Sequence, residues 1–175
     1  GPILINYMSG AGHWDWNQDI DFCRWHEVIV ELLNRLGTRH ELAFLCHDER
    51  EYNLARDLDS SIPRLWPRSV RHYFELVAGA KAAICNRMHA SVGLAGLGIP
   101  SIAVGTDTRL LMVQQLGLPA LYVKEVDADL LEHEIENLVS HRQWEKARLL
   151  SLREKTWNGY VDLLLNSLPI CADGF

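Results

Sequence analysis

No two cysteines of the chain stand at C-x-x-C spacing: Cys23, Cys46, Cys85 and Cys171 are far apart, and Cys46 and Cys85 fall in apolar runs. A disulfide framework is thereby excluded, and buried thiols in a reducing, cytoplasmic compartment are expected. No stretch approaches the roughly 18 consecutive apolar residues of a membrane span, and no secretory signal is visible. Lysine and arginine are outnumbered by acids, 17 to 23, for a formal charge of −6, and nowhere do they cluster. Without a basic stripe to neutralise phosphates, nucleic acid is not an expected partner, although a local anion site stays open. No G-x-G-x-x-G follows the first apolar run and no Walker A sequence occurs, which disfavours NAD and ATP by those routes. Repeats, low-complexity tracts and linkers are missing too. No cofactor is expected.

What is present is ordinary globular composition, 48% hydrophobic and 23% charged over 175 residues. That length makes one domain with a self-sufficient core the default. Short apolar runs alternate with helical periods from end to end. Strands are expected at Ile3-Leu4-Ile5-Asn6-Tyr7, Leu42-Ala43-Phe44-Leu45-Cys46 and, briefly, between Pro63 and Pro67. Three more follow at residues 82–85, 101–104 and 120–123. Helices are expected at about 19–36, 48–58 and 69–80, the last capped by Ser69, then at 88–97, after the 105–108 loop, and from about 127 to 168. The alternation predicts a three-layer Rossmann-like α/β domain with a mostly parallel sheet of about six strands.

Ala83-Ile84-Cys85-Asn86-Arg87-Met88-His89-Ala90 is the most informative stretch. A buried strand runs into a small-residue helix, with arginine and histidine at the junction. Ligands of open α/β sheets bind outside the carboxyl ends of strands, and a helix N-terminus there offers N–H groups and a positive dipole end to an anion. Structural readings stand beside this one: an exposed arginine, and a histidine that caps a helix or bonds a carbonyl.

With this signature come the helix Tyr73-Phe74-Glu75-Leu76-Val77, the strand at Lys81-Ala82-Ala83-Ile84, and Gly98-Ile99-Pro100-Ser101-Ile102. A threonine-bearing loop with Arg109 and the helix end Gln115-Leu116-Gly117-Leu118 complete the order. Residues 69–126 together resemble the C-terminal half of the polysaccharide pyruvyl transferase family. The resemblance implies one half of a glycosyltransferase-B-like architecture, with residues 1–175 as a single Rossmann-like domain. Gly1-Pro2, in place of an initiator methionine, reads as a cleavage scar, and an N-terminal half of the same protein would complete the fold.

The activity implied is pyruvyl transfer from phosphoenolpyruvate to a sugar of a surface polysaccharide or glycan precursor, in a bacterial cytoplasm. Arg87 and His89 match the family's arginine and histidine, with Met88 between them. A guanidinium fork can hold a phosphate or carboxylate. The Met88 N–H adds a donor, and His89 can serve as general acid. Thr106, Thr108 and Arg109 should line the same pocket, with His13 on a rim loop spanning residues 9–16. Two departures stand out. Asn6-Tyr7-Met8-Ser9 stands where the family commonly has an arginine at the end of the first strand, and Arg109 must stand in for a later lysine.

Two other readings stay open. One is a nucleotide-sugar glycosyltransferase donor domain, with Asp107 or Glu125 taking a ribose. The other is a non-catalytic anion-binding domain. Trp14 and Trp16 could stack on a sugar, or merely pack their loop. His47-Asp48-Glu49 reads as a helix cap rather than a metal site. His133 and His141 should be solvated, and Glu132, Glu134 and Glu136 should form an acidic face with no partner.

Overall fold

The structure is a computed structural model that describes residues 1–9, 20–106 and 109–167. Six strands form one sheet in the order β3-β2-β1-β4-β5-β6. They are β1 (Ile3–Asn6), β2 (Leu42–Leu45), β3 (Arg64–Leu65), β4 (Ala82–Cys85), β5 (Ser101–Gly105) and β6 (Ala120–Tyr122). Every pairing is parallel, so the fold is a three-layer Rossmann-like α/β domain, as the alternation predicts. The strands are short and, in the middle of the sheet, fully buried. Such continuous apolar runs are what a sheet covered on both faces requires.

Side-chain alternation divides the core in two. Ile3 and Ile5 of β1, with Phe44, Ile84 and Ile102, face α1 (Phe22–Leu36) and α6 (Ala128–Ser140). Leu4, Ala43, Leu45, Ala83 and Cys85 face α3 (Val70–Val77) and α4 (Met88–Ala95). Between β2 and β3 runs α2 (Glu49–Leu58), and between β5 and β6 runs α5 (Leu110–Gln115). Side chains cap the helices where the sequence offers Asp or Ser: Asp21 on α1, Asp48 on α2, Ser69 on α3 and Asp127 on α6. Cys46 and Cys85 are buried free thiols.

One expectation is refined and one corrected. The C-terminal stretch expected to be helical divides at His141, whose backbone leaves helical geometry (φ −99°, ψ 16°) and ends α6. A separate helix, α7 (Arg142–Ser167), then straps across the domain. Its Arg148 donates to the Leu116 and Gly117 carbonyls, and its Arg153 to the Gly96 carbonyl. The acidic face of α6 is also not without partners. Glu132 pairs with Arg35 and Arg39, and Glu136 with Arg39 and His40, tying α6 to α1. Periodicity along one helix carries no information about the charges on another, which is why the face looked bare. His133 and His141 are exposed, as expected. Among the described residues no helix is long and apolar enough to cross a membrane.

Gly98 turns the chain from α4 into β5 at φ +74°, and a Cβ there would sit 2.9 Å from Lys146 Cγ of α7. Gly98→Ala should therefore cost about 1–2 kcal/mol, from left-handed strain plus displacement of α7. Urea unfolding read by circular dichroism checks it, and an unchanged midpoint would remove the constraint.

Candidate functional site

Strand order 3-2-1-4-5-6 reverses direction between β1 and β4, and in open sheets the crevice at that reversal takes ligands. Asn6 and Cys85 are register partners at the carboxyl ends of these two strands, so Arg87 emerges just beyond the switch point. A cavity of about 170 Å³ opens there. It is walled by Met8 after β1, by the Asn86–His89 junction after β4, and by the β5 end with Thr106, Arg109 and Leu110. Arg87, Met88, His89, Thr106 and Arg109 all line this one cavity. His13 and Thr108, along with Trp14, Trp16 and Asp107, lie outside the described residues.

Local geometry shapes the cavity. Arg87 is the N-cap of α4 in extended conformation (φ −88°, ψ 120°) and makes no side-chain capping bond. The first-turn N–H groups of Met88 and His89 therefore point out of the helix end toward the cavity wall. Thr106 is buried, while His89 and Arg109 are exposed. Asn86 braces both walls: its Oδ1 accepts from the Met8 N–H at 2.8 Å, and its Nδ2 donates to the Val104 carbonyl at 3.0 Å.

Behind the cavity is a polar network that sequence reading missed. Glu51, only 3% exposed, accepts from Arg87 Nε through Oε1. Its Oε2 accepts from the His47 N–H at 2.7 Å and from Asn6 Nδ2 at 3.0 Å, and lies 3.1 Å from His47 Nδ1. Asp48 Oδ2 accepts from Arg87 Nη2 at 2.6 Å, and its Oδ1 caps α2 through the Glu51 N–H at 3.0 Å. Asn6 closes the circuit: its Oδ1 accepts from the Arg87 N–H at 2.9 Å, and its Nδ2 also donates to the Leu45 carbonyl at 3.1 Å. Asn6 is thus a buried hub joining β1, β2, β4 and α2. His47-Asp48-Glu49 does form a helix cap, but one whose carboxylate also grips Arg87.

Burial pushes the Glu51 carboxyl up, but the bonds from the His47 ring, the His47 N–H and Arg87 outweigh it and hold it below the usual carboxylate range. Asp48 is likewise held low: partial burial raises it, while the Glu51 N–H, Arg50 and Arg87 lower it. Burial pushes the thiols of Cys46 and Cys85 up to about 12, so neither strand-end cysteine is a nucleophile at neutral pH. A signal for the network was present in Asp48-x-x-Glu51, a capping-box spacing directly after the second strand. What the sequence could not show is that Glu51 turns inward to Asn6 and Arg87.

No family model matches the chain, and no curated protein matches it. Among solved structures it is similar to UDP-GlcNAc 2-epimerase from Neisseria meningitidis bound to UDP-GlcNAc, with a TM-score of 0.56 at 15% identity. That likeness covers 94% of this chain and 44% of the other, so the chain spans less than half the length of the structure it matches. It establishes the fold: a Rossmann-like unit that fits one half of a glycosyltransferase-B-like fold.

Arg87→Ala should destabilise the chain by about 3 kcal/mol, because it strands the buried Glu51 carboxylate without its cation. Both network carboxylates titrate below their unfolded values. Their contribution is therefore present above the ordinary carboxylate range and lost as pH falls through the lowered folded values. Glu51→Gln should flatten the acid limb of the stability–pH curve relative to wild type. Denaturant melts from pH 7 down to pH 3 measure both effects, and an acid limb as steep as wild type would uncouple Glu51 from folding.

Proposed function

We propose that this chain is the donor-binding half of an enzyme that transfers a pyruvyl group from phosphoenolpyruvate to a sugar of a surface polysaccharide or glycan precursor. The observation that carries the reading is the convergence of Arg87, the α4 N-terminus, His89, Thr106 and Arg109 on one cavity at the switch point. Phosphoenolpyruvate bears a phosphate and a carboxylate on a three-carbon frame. At about 170 Å³ the cavity is smaller than the roughly 300–1,000 Å³ clefts that enclose drug-sized ligands, and suits such a compact polyanion. The α4 N–H groups and the Arg87 edge not bonded to carboxylates would take one anionic group, and Arg109 with the Thr106 hydroxyl the other.

The chemistry requires a proton on the methylene carbon of the enol phosphate, attack of a sugar hydroxyl on the neighbouring carbon, and departure of phosphate from that carbon. A second hydroxyl of the sugar then closes the ketal. His89, exposed on the first turn of α4, is the group placed to deliver or receive one of these protons. Neither Cys46 nor Cys85 supplies a thiolate to this scheme, since burial keeps both protonated.

One observation favours a second reading, a nucleotide-sugar donor: the structural likeness to an enzyme whose structure holds UDP-GlcNAc. Calorimetric titration of the chain with phosphoenolpyruvate and, separately, with UDP-GlcNAc distinguishes the two. Phosphoenolpyruvate should bind, and Arg109→Ala should weaken it by about tenfold or more for a lost charge-assisted bond. In the whole enzyme, His89→Gln should lower turnover by about a hundredfold while leaving the KM for phosphoenolpyruvate nearly unchanged. Tight binding of UDP-GlcNAc alone, or wild-type turnover in His89→Gln, would overturn the pyruvyl reading.

A further inference from the structure

The guanidinium of Arg87 is the most buried cation at the cavity, yet two carboxylates of α2 already occupy its Nε and Nη2. Neither carboxylate is loose. Asp48 is fixed because its other oxygen caps α2, and Glu51 because Asn6 and the His47 N–H hold its second oxygen. Arg50 pairs with the outer side of Asp48 at 3.3 Å, so Asp48 is shared between two guanidiniums while Glu51 balances Arg87. The cavity's buried arginine therefore presents directed N–H groups but no net positive charge.

We propose that Asp48 and Glu51 act as a counter-charge clamp that sets the specificity of the cavity, so that it rejects a lone inorganic anion and accepts only a ligand bringing a second anionic anchor. Asp48 is the specificity-determining residue of the pair, since it is the more exposed carboxylate on the Arg87 fork and can lose its charge without stranding a buried group. The inference rests on reading the cavity as an anion site, and it deepens the donor assignment. The donor carries phosphate and carboxylate together and can engage both the α4 end and Arg109. Released phosphate keeps only one anchor and faces the clamp. A site built this way holds its substrate and lets go of the leaving group.

Asp48→Asn separates charge from structure, because asparagine caps a helix as well as aspartate does and the residue is about a third exposed. Calorimetry with inorganic phosphate at pH 7 and low salt should show about tenfold tighter binding in Asp48→Asn than in wild type. The gain should shrink at high salt. The ratio of phosphoenolpyruvate to phosphate affinity should fall by a similar factor. Glu51→Gln should shift phosphate binding in the same direction, read well below its melting temperature. A folded Asp48→Asn that binds phosphate no better than wild type, or worse, overturns the clamp, as does an absence of phosphate binding in every variant. If phosphate binding tightens while phosphoenolpyruvate fails to bind wild type, the donor assignment falls and the clamp stands. If phosphoenolpyruvate binds and phosphate is unmoved, the reverse holds.

Discussion

Glu51 carries a charge into a place where only 3% of its surface meets water, and the arrangement around the switch point follows from satisfying it. A buried carboxylate is tolerated only when paired and fully hydrogen-bonded. Here the partners come from three directions: Arg87 from the end of β4, Asn6 from the end of β1, and the His47 N–H from the end of β2. Meeting that demand brings three strand ends into one network and orients α2 by its first turn. The cavity lies on the far side of the same guanidinium. Its wall is thus a by-product of solving an electrostatic problem in the interior.

The layered fold was legible in the sequence because it depends on short-range rules. Runs such as Ile3-Leu4-Ile5 and Ala82-Ala83-Ile84-Cys85 have no polar face to show solvent, and Asp21, Asp48, Ser69 and Asp127 mark helix starts by their capping chemistry. The parallel sheet and its switch point follow, and with them the meeting of Arg87 and His89 with Thr106 and Arg109. The network behind them was not legible. The Asn6 amide and the Glu51 carboxylate are 45 positions apart in sequence and meet only because β1 and β2 are neighbours. The pairing of Glu132 with Arg35 and Arg39 was hidden for the same reason, since α1 and α6 are separated by most of the chain. The break at His141 left no signal stronger than the absence of one, as neither glycine nor proline marks it.

Departures from an expected motif carry meaning when the local geometry is known. A cation at position 6 would sit at the hub that Asn6 now fills. Asparagine can accept from one N–H and donate two, and here it uses both functions: accepting from the Arg87 N–H and donating to Glu51 and to the Leu45 carbonyl. A guanidinium or ammonium in that spot could not accept.

Met8 stands at the root of the segment leaving β1, its N–H held by Asn86 and its carbonyl held by the indole N–H of Trp25 at 3.2 Å. Trp25 is 2% exposed, whereas Trp144 and Trp157 are each 63% exposed. The chain therefore contains an intrinsic fluorophore wired to the cavity lip and shielded from collisional quenchers that reach the outer indoles. Any ligand that shifts Met8 alters the hydrogen bond polarising that one ring. With iodide silencing Trp144 and Trp157, the share of the remaining emission that comes from Trp25 reports on the cavity without a label.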